Sequence, residues 1–109
     1  MAALTSQPFA AGTAPAVITP SASDTIAAGQ FGPNGCVLRA ITTGTTSNIT
    51  VADPGKTPLG NAGTAAATAL PATGARMIPI PVSAIDPATG NATVTSSSQT
   101  GLTYELYRY

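Results

Sequence analysis

The residue types that could do chemistry are few in this chain, and they stand far apart. Its 109 residues include four acidic and four basic side chains, one cysteine and no histidine. Most catalytic and metal-binding sites combine histidine, clustered carboxylates, lysine or several cysteines. Three of the acidic residues, Asp24, Asp53 and Asp86, precede or occupy predicted turns, where aspartate usually bonds to nearby backbone. We therefore expect no catalytic residue, no metal site and no cofactor, and the chain is not predicted to be an enzyme.

Short motifs match functional patterns only in part. Gly55-Lys56-Thr57 is similar to the end of a phosphate-binding loop, but the glycine needed five residues earlier is Thr50. Asn48-Ile49-Thr50 and Asn91-Ala92-Thr93 match the N-glycosylation pattern, yet no basic and apolar signal for secretion opens the sequence. Cys36 has no second cysteine to pair with, so we expect a small buried side chain there.

An aromatic cluster near the C-terminus is more informative. Three of the five aromatic residues, Tyr104, Tyr107 and Tyr109, lie within the last six positions, beside Arg108. Tyrosine and arginine are over-represented among the residues that dominate binding at protein interfaces. The final strand is expected to complete the hydrophobic core, with the side chain of Tyr104 buried in it. Tyr107, Arg108 and Tyr109 are expected at an interface, which favours adhesion over catalysis.

Composition limits the kinds of partner. The formal net charge is zero, whereas nucleic-acid binding needs a basic patch. No apolar run approaches the roughly 20 residues that cross a bilayer, so neither nucleic acid nor membrane is expected as a partner. Val, Ile, Leu and Phe together make up only about 18 % of the chain (20 of 109 residues). Such a thin core predicts a homo-oligomer, or a protein that is stabilised on a larger surface.

The elements that must position these residues are short strands. Runs of β-branched and aliphatic residues alternate with turns rich in Pro, Gly and Asn, and no amphipathic helix is apparent. We predict an all-β fold, a small antiparallel β-sandwich or jelly-roll-like barrel. Predicted strands cover approximately residues 16–19, 24–28, 36–42, 48–53, 76–82, 92–96 and 102–109.

Two strands have predicted positions within a sheet. Both faces of Cys36–Thr42 are fairly apolar, so this strand is expected to be central. Pro79 and Pro81 remove hydrogen-bond donors from the same side of their strand, so residues 76–82 are expected to form an edge strand or a polyproline-like segment.

Two segments lie outside the predicted strands. Residues 1–14 are predicted to form an extended N-terminal arm, and residues 15–109 a single β domain with one long Ala/Gly/Pro-rich loop at 54–75. Residues 64–70 could form a turn or two of helix, but such a helix would be too short to be stable alone. We expect the arm and the loop to become ordered on contact with a partner. Their large apolar residues, which are candidate interface anchors, are Leu4 and Phe9 in the arm and Leu59 and Leu70 in the loop.

The order of several segments resembles the small capsid decoration (cement) proteins of tailed bacteriophages. The segments concerned are Asp24-Thr25-Ile26-Ala27, Phe31-Gly32-Pro33-Asn34-Gly35, Ile49 to Gly55, Ile78-Pro79-Ile80-Pro81 and Leu102 to Arg108. The resemblance implies a β-rich, often trimeric protein that sits on the capsid exterior. There it would bind across neighbouring subunits of the major capsid protein and stabilise the shell.

Other functions remain open from the sequence. A head–tail connector or minor tail component of a phage particle would share the same composition. A carbohydrate-binding β-sandwich could use the terminal tyrosines as a stacking platform. Synthesis in the host cytoplasm, followed by incorporation into the virion, is the expected localisation for the favoured function.

Overall fold

The computed structural model describes residues 2–8, 16–55, 58–60 and 67–109. These residues form nine strands and two 3₁₀ turns, Ala28–Gln30 and Val82–Ala84. No helix among them has the length and apolar character needed to cross a membrane. The strands are β1 Ala2–Ala3, β2 Gln7–Pro8, β3 Ser23–Ala27, β4 Cys36–Thr43, β5 Ser47–Val51, β6 Ala67–Leu70, β7 Thr73–Ile80, β8 Asn91–Ser96 and β9 Leu102–Arg108.

The strands are arranged in two sheets that enclose one core. The five-stranded sheet has the order β1-β3-β8-β5-β6, and the four-stranded sheet has the order β2-β9-β4-β7. The longer pairings are antiparallel. The prediction of an all-β, sandwich-like fold is confirmed, and the described strands do not close into a barrel. The larger buried apolar side chains are Leu4, Ile26, Leu38, Ile49, Leu70, Ile78, Ile80, Val94, Leu102, Tyr104 and Leu106.

Strand β4 lies inside its sheet, between β9 and β7, as the sequence predicted. Its even-numbered residues, among them Cys36, Leu38 and Ala40, are fully buried, and its odd-numbered residues from 37 to 41 are only half-buried. This period of two is that of a strand with one face on the core. The odd-numbered face remains available for other contacts.

Strand β7 is an edge strand, which confirms the prediction from its prolines. Thr43 of β4 donates its N–H to the Gly101 carbonyl, just before β9. Because main-chain groups alternate in direction along a strand, the odd-numbered residues of β4 face β9 and the even-numbered ones face β7. In the observed register, the even-numbered residues of β7 are therefore bonded to β4. Pro79 and Pro81 lie on the opposite side, where a missing donor breaks no pair.

The N-terminal segment is extended, but it belongs to the sandwich. β1 pairs in parallel with β3 of one sheet, and β2 pairs in parallel with β9 of the other. Leu4, between the two short strands, is only 2 % exposed and lies in the core of its own chain. This corrects the expectation of an arm anchored by Leu4 on a partner. Its side chain fills space between the sheets because the chain crosses from one sheet to the other at this point.

The predicted loop at 54–75 is shorter than expected. Ala67–Leu70 forms β6, which pairs with β5, and β7 already begins at Thr73. The helical turn considered for 64–70 is wrong for 67–70, since pairing with β5 provides main-chain hydrogen bonds that one isolated helical turn could not retain. Residues 56–57 and 61–66 of this loop lie outside the described residues, as does Phe9 of the arm.

Candidate interaction surface

The outward side of the four-stranded sheet carries a regular array of side chains, which we call the outer face. It consists of three residues from each of β9, β4 and β7, aligned by the observed register. The three rows across the strands are Tyr107–Val37–Pro79, Glu105–Arg39–Met77 and Thr103–Ile41–Ala75.

A charged group of three side chains lies within the outer face. Arg39 Nη1 contacts Glu105 Oε2 at 3.0 Å, and the Tyr107 hydroxyl donates to Glu105 Oε1 at 2.6 Å. Glu105 is only 6 % exposed although it points away from the core. Its hydrogen bond to Tyr107, assisted by burial, raises the pKa of the tyrosine, and the Arg39 charge offsets part of this rise. The carboxylate is thus held in one orientation from both sides.

The remainder of the outer face is mainly apolar. Met77 is 56 % exposed, Pro79 is exposed, and Val37 and Ile41 are half-buried. The two charges neutralise each other at short range, so the face has no net charge. Aromatic residues, Met and Arg are enriched in the cores of protein interfaces. This combination of residues can bind a protein surface.

The C-terminal residues predicted at an interface have different environments. Tyr107 belongs to the outer face, and Tyr109 is 43 % exposed. Arg108 points to the other side of β9, where its Nη1 donates to the Ser6 carbonyl at 2.8 Å and to the Ser6 hydroxyl at 3.1 Å. Gln30 also binds Ser6, through its side chain and its carbonyl. Arg108 therefore ties the N-terminal segment to the sandwich.

The other candidate anchors are divided between surface and core. Leu59 is 90 % exposed, and its role at an interface stays a prediction. Leu70 is 4 % exposed and, like Leu4, packs in the core of its own chain. For Leu70 the interface prediction is corrected, because its side chain points inward from β6.

The three aspartates have structural partners. Asp53 accepts the N–H of Gly55, and Asp86 accepts the N–H of Ala88, which confirms the turn bonds predicted for both. Asp24 is fully buried and accepts hydrogen bonds from the N–H and hydroxyl of Ser21. Across the described parts of the chain, no three His, Cys, Asp or Glu residues are grouped closely enough to hold a metal ion.

Cys36 and a shallow groove complete the survey of chemical groups. The thiol is buried as predicted, and burial raises its pKa, so the reactive thiolate is disfavoured. A groove of about 260 Å³ lies between the end of β5 and the segment after β7. Asp53 and Ser83 are its polar side chains among Val51, Ala52, Pro79, Pro81 and Ala84. Asp53 is the charged side chain of this groove, and it accepts the N–H of Gly55.

Sequence reasoning missed the contact between Arg39 and Glu105. A signal was present, since each residue stands on the outward side of a strand with an otherwise uncharged neighbourhood. The missing information was the register of β4 against β9, which brings residues 66 positions apart into contact. No family of known proteins, no curated protein and no solved structure matches this chain.

Proposed function

We propose that this chain is a structural protein of a phage particle that decorates the capsid exterior and binds across subunits of the major capsid protein. The observation that carries the proposal is the outer face, a neutral and largely apolar surface built on three paired strands. The layout shared with capsid decoration proteins suggests which large surface it contacts. In this proposal the chain has no catalytic activity.

The outer face is well suited to a static contact. Exposed Met77 and Pro79 supply apolar area, and the Arg39–Glu105 pair is already formed before binding. A contact that requires little reordering of side chains loses less free energy to entropy. Rigid docking is the expected mode, because the residues lie on strands rather than on loops.

The size of the face favours binding by an oligomer. Strand spacing of about 4.8 Å and a rise of about 3.3 Å per residue give roughly 240 Å² for the three strands over the five residues that each spans in this face. Typical specific interfaces cover about 800 Å² on each partner. Several linked copies would bind a repetitive shell far more tightly than one copy, through their effective concentration. The resemblance implies a trimer as that oligomer.

Co-sedimentation with empty capsid shells tests this function. The shells are assembled from the major capsid protein of the phage genome that encodes the chain, and the bound copies are counted. We expect saturable binding at a fixed number per shell subunit, with a raised melting temperature of the shell. A chain that remains in the supernatant at all concentrations would overturn decoration and redirect the search to tails and glycans.

A pair of variants tests the role of the outer face in that assay. Met77→Glu adds a charge to the exposed centre of the face, and we expect it to weaken shell binding at least tenfold. Asn48→Glu is the matched control, because Asn48 is an exposed strand residue on the opposite sheet. Equal binding by both variants would show that a different surface contacts the shell.

Two further measurements address the alternatives left open by the sequence. Binding to isolated tails in a ring-shaped stoichiometry would replace decoration by a connector or tail function. A saccharide-dependent change in tyrosine fluorescence, without binding to shells, would favour the carbohydrate-binding alternative.

A further inference from the structure

The four sheet edges differ in their ability to accept another strand. β1 and β2 contain two residues each, and β2 includes Pro8. The open side of β7 lacks donors at Pro79 and, just beyond the strand, at Pro81. β6 has the sequence Ala-Thr-Ala-Leu, with neither proline nor charge. Unprotected edges of this kind readily pair with other chains.

The hydrogen-bond pattern of β5 identifies which main-chain groups of β6 are used. Asn48 accepts from the N–H of Ser97, and Ala52 donates to the Thr93 carbonyl, so the even-numbered residues of this segment face β8. Since directions alternate along a strand, the odd-numbered residues, Ser47 and Ile49, face β6.

The register then fixes the free side of β6. Leu70 and Thr68 are the register partners of these odd-numbered residues of β5, so their main-chain groups face inward. Ala67 and Ala69 direct their N–H and C=O groups to the other side. Of the residues that the structure describes, none pairs with that side, and the side chains of both alanines are exposed.

We propose that the free edge of β6 pairs with β6 of a second copy, antiparallel about a two-fold axis at Thr68. Ala67 of each copy would then oppose Ala69 of the other, and these two pairs would exchange four main-chain hydrogen bonds. The two Thr68 residues would form the close pair between them, a favourable cross-strand combination.

Charge and symmetry favour a second copy over another chain as the occupant. β6 carries no charged residue, so two identical edges meet without repulsion. Antiparallel pairing about a two-fold axis is self-complementary for any short strand. The contact joins two five-stranded sheets and yields a dimer, in contrast to the trimer that the resemblance implies. It depends on β6 alone and not on the proposed capsid function.

Sedimentation equilibrium of the full chain tests the pairing. We expect a concentration-dependent dimer of the wild-type chain. Ala69→Pro removes an outward donor and should raise the dimer dissociation constant at least tenfold. Ala69→Val keeps the N–H group and is the matched control, expected to retain the dimer. A wild-type monomer up to millimolar concentration, a trimer, or a dimer unaffected by Ala69→Pro would each overturn the proposal.

A second approach covers the case in which the proline variant does not fold. Ala67→Lys/Ala69→Lys keeps the strand intact but places four positive charges at the two-fold contact, and it should also dissociate the dimer. Hydrogen exchange of the wild-type chain provides a readout at single amides. The Ala67 and Ala69 amides should exchange more slowly as the protein concentration rises, and exchange independent of concentration would refute the pairing. Failure to bind shells would leave these results unchanged.

Discussion

Replacing Arg39 by methionine tests whether the carboxylate of Glu105 depends on its partner. The side chain of Glu105 is 9 % exposed, whereas that of Arg39 is 39 % exposed. Loss of Arg39 leaves a nearly buried carboxylate that still accepts a hydrogen bond from the Tyr107 hydroxyl at 2.6 Å. Loss of Glu105 instead leaves a guanidinium that can reach water. The two single substitutions should therefore have unequal effects.

The magnitudes follow from this difference in exposure. Breaking a fully buried ion pair costs about 3–5 kcal/mol, and exposed pairs are worth about 0–1 kcal/mol. For this half-exposed pair we expect Arg39→Met to lower the free energy of unfolding by about 2 kcal/mol. Glu105→Leu should lower it by about 1 kcal/mol or less. The double variant should be close to wild type, because an apolar pair on a strand needs no desolvation of charge.

Urea unfolding followed by far-ultraviolet circular dichroism provides the measurement, since the chain has no tryptophan. Arg76→Met is the matched control: Arg76 is exposed, and its guanidinium bonds to the carbonyl of the adjacent Ala75. We expect this control to change the free energy of unfolding by less than about 0.5 kcal/mol. Equal losses for both single variants, or a double variant as unstable as their sum, would refute the reasoning.

Three further substitutions, two of them with a matched control variant, probe the core, the turns and the N-terminal segment. Tyr104→Phe should leave the free energy of unfolding at pH 8 unchanged or raise it by about 1 kcal/mol, because the buried hydroxyl makes no hydrogen bond with described residues. Burial raises the pKa of Tyr104 above its ordinary value. Wild-type stability should therefore hold below the ordinary pKa of tyrosine, about 10, and fall as pH rises through the raised pKa. An equal fall in the phenylalanine variant would contradict this. Gly35→Ala should lower the free energy of unfolding by urea by about 2–4 kcal/mol, and its control Gly44→Ala by about 1–2 kcal/mol. Both glycines have positive φ, but of the two only Gly35 has no room for a Cβ, which would lie 2.6 Å from the Ile80 carbonyl oxygen. Equal costs would exclude the clash. Leu4→Ala should lower the free energy of unfolding by about 2–4 kcal/mol, whereas its control Leu59→Ala, at a residue that is 90 % exposed, should change the urea midpoint little. A Leu4→Ala variant as stable as wild type would show that the N-terminal segment is not part of the core.

The sequence predicted the fold class and the roles of single strands. Period-two alternation identified β5 and β9, because that pattern follows from the geometry of one strand, and the aliphatic run at 36–42 identified β4. The prolines of β7 predicted an edge, because a missing donor can be tolerated only where no strand follows. These inferences needed only neighbouring residues.

Other features could not be predicted from neighbouring residues. Ala67–Leu70 lacks β-branched residues other than Thr68, and pairing with β5 rather than propensity makes it a strand. Alanine favours helices in isolation, which is why a helical turn was considered there. The outer face could likewise be predicted only in part. Alternation indicates which residues of β4 and of β9 share a face, but only the register of the two strands shows that these residues are neighbours.

The sequence alone thus determined the local geometry: short alternating strands, turns at Gly and Asn, an edge at Pro79 and Pro81, and a chain with too few charges for clustered chemistry. Tertiary structure decided which distant residues meet. Leu4 became a core residue because the N-terminal segment crosses between the sheets, and Arg39 met Glu105 because β4 and β9 pair in one register. The physical reason is that alternation is a property of one strand, whereas register is chosen by the burial of whole faces.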